Sequence, residues 1–178
     1  MDNHRENEDD QEQQQQQQQQ QPVLRSIHNR HSSFVRFINT TRHNISVYWI
    51  DYQGKKVCYR VLGCRTYLDI NTFVTHPWIF VDEETKDRFP ANGQEVYFPK
   101  SWFAQFQGMR QSELPSRIER TQVYITLPLY SLRDLCLREI KRRLRYDRHA
   151  FGLEIPWSLQ RELYNMHPRK PDPNEQQL

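Results

Sequence analysis

Between Phe34 and Leu127 the chain repeats one pattern seven times, and then the pattern changes. The runs Phe34–Asn39, Ile45–Asp51, Lys56–Leu62, Thr66–Asn71, Pro77–Asp82, Glu95–Phe98 and Gln122–Leu127 are short. They alternate or are wholly apolar, and they are rich in Val, Ile, Tyr, Phe, Trp and Thr. Such residues fit a pleated, half-buried surface. Turn signals part them: Tyr52-Gln53-Gly54, Gly63 and Asn92-Gly93. This spacing predicts a seven-stranded antiparallel β-sandwich over residues 22–128. After Pro128 the period becomes helical, with a first helix from Leu132 to Tyr146 and a last one from Pro156 to Asn165. Proline suits a first helical turn. The link DRHAFG between them suits a short helix. The expected fold is mainly β, with a small helical cluster over residues 129–167. A segment this short cannot build an independent core and must lean on the sandwich or on a partner.

Three stretches fall outside this rhythm. Residues 1–21 hold six acids, one arginine and an unbroken glutamine run from Gln13 to Gln21. They lack the apolar surface to offset ordering entropy and are expected to be disordered. Residues 168–178 read as a second disordered tail. Lys100 to Arg120 reads as a long loop with one helical turn, held down by Trp102, Phe103 and Phe106.

Charge and cysteine usage bound the partners. The chain totals +3 and the first 21 residues carry −5, so residues 22–178 carry about +8. Much of that lies on one helix as Arg133, Arg138, Lys141, Arg142, Arg143 and Arg145, where a solvated face accounts for it. No zinc-finger or RNA-binding pattern accompanies the charge, so no nucleic acid is expected. No apolar run reaches membrane-span length, so no membrane is expected either. The three cysteines form no Cys-x-x-Cys pair, and the seven histidines are scattered, so neither metal nor cofactor is expected. The odd cysteine count and the lack of a signal peptide fit a reducing compartment, here the cytoplasm and nucleus.

The first helix opens on SLRDLCLREI. Ser131 suits the N-cap, and Asp134 can reach back to complete a capping box. Leu132, Cys136, Ile140 and Leu144 recur every four residues and line one face, widened by Leu135 and Leu137. Periodicity alone leaves two uses open: an ordinary core helix, or a docking helix.

The second informative stretch is NTFVTHPWIF, Asn71 to Phe80. It gathers Asn71, Thr72, Phe73, His76 and Trp78 near strand ends, with Trp49 and Tyr59 arriving from other strands. Aromatic walls carrying a few polar groups are the usual make-up of a small binding pocket. The same residues also suit a buried sheet face with a hydrogen-bonded histidine. His76 has no evident nucleophile or paired carboxylate beside it, so no catalysis is expected.

Taken together, these segments resemble the von Hippel–Lindau tumour-suppressor family, in an invertebrate-type member. The likeness runs from PVLRS (Pro22 to Ser26) to about His167. It takes in Trp49, Gly54, Tyr59, Thr72, His76, Trp78, Phe80, Asp82, the TLPLYSL segment, Cys136, and LEI followed by Ser158 and Leu159. The resemblance implies a non-catalytic substrate receptor of an elongin–cullin–RING ubiquitin ligase. The implied substrate is the α subunit of hypoxia-inducible factor, recognised after prolyl hydroxylation. The implied peptide site is Trp49, Tyr59, Ile70, Asn71, Thr72, Phe73, His76 and Trp78, with Thr72 and His76 on the hydroxyl group. The implied elongin C face is Leu132, Leu135, Cys136, Ile140 and Leu144, with elongin B behind it. Ile155 and Pro156 would face the cullin, which carries a RING-box protein. Four departures stand out: Arg60 where mammalian members have proline, Pro77 inside the His-x-Trp element, a longer 100–120 loop, and no final helix.

Overall fold

The computed structural model describes residues 23–106, 108–110, 115 and 117–173. The acidic, glutamine-rich stretch and residues 174–178 lie outside them. The strands are β1 (Ser32–Asn39), β2 (Ile45–Ile50), β3 (Lys56–Leu62), β4 (Tyr67–Phe73), β5 (Trp78–Asp82), β6 (Arg88–Phe89) and β7 (Thr121–Ile125). They form two sheets, of order β4-β1-β7 and β3-β2-β5-β6. The helices are α1 (Leu132–Arg143) and α2 (Trp157–Asn165), with 3-10 turns at Trp102–Phe106 and Asp147–Gly152.

Strand β1 shows why the sheets pack as they do. Its burial alternates residue by residue, with Val35 and Phe37 fully inside. Phe37 meets Trp78 and Phe80 of the other sheet, at ring distances of 5.2 and 5.0 Å. Ile45, Val47, Leu62, Ile70, Phe89, Val123 and Ile125 complete a core drawn from all seven strands. Asn39 ends the buried row of β1. Its amide donates to the carbonyls of His43, Leu62 and Gly63, and its Oδ1 accepts from the backbone and hydroxyl of Thr41. A buried carboxamide this fully satisfied costs little and fixes a sheet corner.

The structure corrects the expected sandwich at two points. Strand β7 pairs with β1 in parallel, so the β part is two sheets but not an antiparallel array throughout. Parallel partners need a long connection, and here the whole of β2 to β6 lies between β1 and β7 in the chain. The expected strand Glu95–Phe98 is a single rung, in which Tyr97 exchanges two 2.9 Å backbone bonds with Trp78. Pro99 stops it there, because proline brings no donor. The sixth strand is instead Arg88–Phe89 on the edge of β5. The 3-10 turn at Trp102–Phe106 lies on β1 through Trp102, whose ring meets Phe34 at 6.0 Å.

The helical part has a far smaller core. Leu137, Ala150 and Leu163 are buried, with Ile140, Leu144, Leu153, Ile155 and Leu159 packed around them. Charge does much of the rest. Lys141, expected on a solvated face, is buried and paired with the buried Asp147, and its ammonium also donates to the Leu163 carbonyl at 2.9 Å. Residues 168–173, expected to belong to a disordered tail, fold back onto this pair. Lys170 donates to the carbonyls of Lys141, Arg142 and Leu144, the open end of α1. Its backbone N–H and the Arg169 guanidinium both reach Asp147. Burial alone would raise the Asp147 carboxyl, but Lys141, Lys170 and Arg169 together hold it below the ordinary carboxylate range.

Arg138 ties the two parts together. It pairs with Asp87 at 2.7 Å and lies 3.9 Å over the Tyr130 ring, whose hydroxyl donates to the same carboxylate. Burial and the neighbouring Asp87 push the Tyr130 hydroxyl up to about 12.

Candidate functional site

The site begins with a turn. The His76 N–H donates to the Phe73 carbonyl, closing the link between β4 and β5 and lifting His76 beside the last residue of β4. Thr75 holds this turn to the segment before β1, since its hydroxyl bonds both backbone groups of His28. His76 is 7% exposed. Its ring stacks on Trp49 at 5.2 Å and meets Phe73 edge-on at 5.1 Å. Burial, followed by the nearby His28, pulls its pKa below the ordinary 6.5, so the ring is neutral at physiological pH.

Thr72 supplies the second polar group. It lies on the inward face of β4, 3% exposed, and its Oγ1 accepts from the Trp78 indole N–H at 3.1 Å. Its own proton stays available to donate. Tyr59 stands on β3, half exposed, with its ring 4.9 Å from Trp78 and 6.4 Å from Trp49. Six expected residues, Trp49, Tyr59, Thr72, Phe73, His76 and Trp78, therefore form one chain of contacts drawn from four strands and a turn.

Two expected members lie elsewhere. The Ile70 side chain belongs to the core between the sheets. Asn71 points to the opposite face of β4, as strand alternation requires, and its carboxamide accepts from Arg120 at 2.9 Å. Two residues were missed. Ser26 is buried, accepts from the Trp49 indole at 2.7 Å and donates to the Ile50 carbonyl at 2.6 Å, which fixes the tryptophan plane. Tyr52 brings its hydroxyl to 3.2 Å from His76 Nε2. Its place beside Gln53-Gly54 reads as turn chemistry, and nothing in the spacing marks it as a site residue. Gly54 is required there. Its φ is +81°, and a Cβ would meet Val23 Cγ1 at 3.1 Å and the Leu24 carbonyl at 3.2 Å.

On α1 the capping box forms as expected. The Asp134 N–H donates to Ser131 Oγ, and the Ser131 N–H donates to the Asp134 carboxylate. The apolar row then divides. Leu132 is 77% exposed and Leu135 50% exposed, and Cys136 is exposed beside them. Ile140 and Leu144 instead pack on the helical core with Leu137. The cause is geometric: at 3.6 residues per turn, each step of four drifts about 40° around the helix. A row that starts outward therefore ends inward. Ile155 also packs inward, while Pro156 is exposed at the N-cap of α2.

Among the described residues, no group of three or more His, Cys, Asp or Glu side chains is placed to hold a metal ion, and no helix is long and apolar enough to cross a membrane. One feature that stands apart is an aromatic cluster carrying a buried hydroxyl and a neutral imidazole. The second feature that stands apart is the exposed apolar face of α1 formed by Leu132, Leu135 and Cys136.

Comparison with known proteins supports the resemblance to the von Hippel–Lindau family. Residues 24–104 match the VHL beta domain. The chain is 28% identical over 140 residues to Protein Vhl of Drosophila melanogaster, which spans 75% of this chain and 76% of that one. The β part is thus similar to the VHL beta domain, and most of the chain is similar to Protein Vhl.

Proposed function

We propose that this chain is the substrate-recognition subunit of an elongin–cullin–RING ubiquitin ligase. It takes the prolyl-hydroxylated α subunit of hypoxia-inducible factor for ubiquitination and proteasomal degradation, in the cytoplasm and nucleus. The observation that carries this reading is that two buried polar groups, Thr72 and His76, belong to one chain of contacts running through the rings of Trp49, Tyr59, Phe73 and Trp78. Such a site discriminates by penalty. A 4-hydroxyproline satisfies both groups, whereas plain proline leaves them unpaired at about 1–3 kcal/mol each. Sites built in this way reject the analogue lacking the hydroxyl by ~10⁴-fold or more.

Leu132, Leu135 and Cys136 would enter an apolar pocket on elongin C. Ile140 and Leu144 support them from within, and Pro156 would face the cullin. The chain itself carries no ubiquitin-transfer chemistry in this scheme, which falls to the RING-bound conjugating enzyme.

Calorimetric titration of the chain, co-expressed with elongins B and C, tests the reading. The titrants are paired hypoxia-inducible factor peptides, one with 4-hydroxyproline and one with proline. Strong preference for the first, lost in His76→Ala, is expected. Equal or absent binding of the two by a folded complex would refute the hydroxyproline assignment.

A further inference from the structure

We propose that Tyr52 sets the tautomer and ring orientation of His76, so that the imidazole offers Nδ1 as a hydrogen-bond acceptor to the hydroxyl of a bound hydroxyproline. The inference rests on the function proposed above and concerns how that site reads its ligand.

The starting point is the hydrogen-bond capacity of a ligand hydroxyl, which has one proton and two lone pairs. Thr72 Oγ1 is already an acceptor, since the Trp78 indole N–H donates to it at 3.1 Å. An indole can only donate, so this direction is fixed. Thr72 therefore meets a ligand hydroxyl most naturally by donating its own proton to the ligand oxygen. For the second polar contact to use the ligand's proton, His76 must accept it. A neutral imidazole accepts on one nitrogen only, and the other carries the proton.

The Tyr52 hydroxyl stands against one of the two nitrogens. Nε2 lies 3.2 Å from the Tyr52 hydroxyl. Nδ1 is left as the acceptor when Nε2–H donates to the Tyr52 oxygen. The stacked Trp49 ring, 5.2 Å away and tilted by only 30°, and the edge-on Tyr52 and Phe73 rings oppose a flip that would exchange the two nitrogens. Tyr52 is in turn well anchored. Its ring meets Trp49 at 5.7 Å, and its turn is clamped by Asp51, whose carboxylate accepts from the N–H groups of Gln53 and Lys55 at 2.9 and 2.8 Å. The Tyr52 side chain is part exposed, so its own proton can go to water. Tyr52 is thus a positioning residue: it acts on the ligand through His76.

The test uses the full chain with ¹⁵N-labelled histidine, as wild type and as Tyr52→Phe, which keeps the ring and removes only the oxygen. Long-range ¹H–¹⁵N spectra should show His76 protonated at Nε2 in the wild type, and a mixture of tautomers in the variant. Titration with the two peptides should show the preference for hydroxyproline falling about fivefold to tenfold in Tyr52→Phe, the size of one weakened hydrogen bond. Affinity for the plain-proline peptide should stay the same, which a merely structural role would not leave untouched. An Nδ1–H tautomer in the wild type would overturn the proposal. So would unchanged spectra and an unchanged preference in the variant. No preference for hydroxyproline in the wild type would instead overturn the function on which the proposal rests, whatever tautomer the spectra show.

Discussion

The β part and the helical part hold themselves together by different means. The β core contains Phe37, Trp78, Phe80, Phe89 and other apolar side chains at or near zero exposure. Each such side chain contributes ~1.5–3 kcal/mol by leaving water. The helical core has Leu137, Ala150 and Leu163, and around them a charge lock of Lys141, Asp147, Arg169 and Lys170. The difference follows from what each part exposes. The sheets can spend their aromatic residues on a core and a cage, because the cage is an extension of the core. Helix α1 leaves Leu132, Leu135 and Cys136 outside. It therefore has few apolar groups left for its own packing, and ion pairs with little tolerance for loss fill the gap.

Substitutions at the centre of each part should break this contrast most sharply. Phe37→Ala should cost about 3–5 kcal/mol and lower the melting of the whole molecule, since the ring touches Trp78, Phe80 and Tyr97 together. Asp147→Ala strands a buried ammonium at a cost of about 3–5 kcal/mol. Amide exchange should show its effect confined to α1, α2 and residues 168–173, with β1 and β5 still protected. Equal loss of protection in the sheets would mean that the two parts fold as one unit.

Leu132→Asp sharpens the contrast from the other side. Stability of the chain should move by no more than about 0.5 kcal/mol, because the side chain is 77% exposed. Affinity for elongin C should fall by about 2 kcal/mol or more, as for the loss of a central anchor. A smaller effect, of about 1–2 kcal/mol, is expected of Gly54→Ala from the left-handed backbone alone. Thermal melting measures it, with a matching loss of order in the segment over Trp49.

The smallest effect is that of pH on His76. Its folded pKa lies below 6.5, so between the two values the unfolded chain binds more protons. Stability should therefore fall as the pH drops through 6.5, and the loss should be complete below the folded value. Peptide binding needs the neutral ring and should fail only around that lower value. Binding that weakens at or above pH 6.5 would contradict a buried, neutral His76.

The strands were legible because alternation survives in the sequence: the run Phe34–Asn39 reads as a strand, and its Val35 and Phe37 are fully buried. The parallel pairing of β7 was not, since register across a long connection leaves no local trace. At the site, Trp49, Thr72, His76 and Trp78 were visible as unusual residues near strand ends. Tyr52 and Ser26 were not, because each acts through hydrogen bonds to a distant stretch of chain. The division of the α1 row was implicit in helix geometry. A row spaced by four reads as one face, while the drift per step carries Leu132 outward and Leu144 inward. Lys141 and Lys170 look like solvent-facing cations in any one-dimensional reading. Only the chain folding back at residues 168–173 shows what they hold.

Ubiquitin transfer in a reconstituted complex tests the central division of labour most directly. The chain, elongins B and C, cullin, RING-box protein and the upstream enzymes would be supplied with the paired peptides, using wild type and the double substitution Leu132→Asp with Cys136→Asp. The account predicts transfer to the hydroxylated peptide alone by the wild type. It predicts no transfer by the double variant, even though that variant still binds the hydroxylated peptide. Undiminished transfer by the double variant, or loss of peptide binding along with transfer, would contradict a cage and a docking helix that work as separate surfaces of one adaptor.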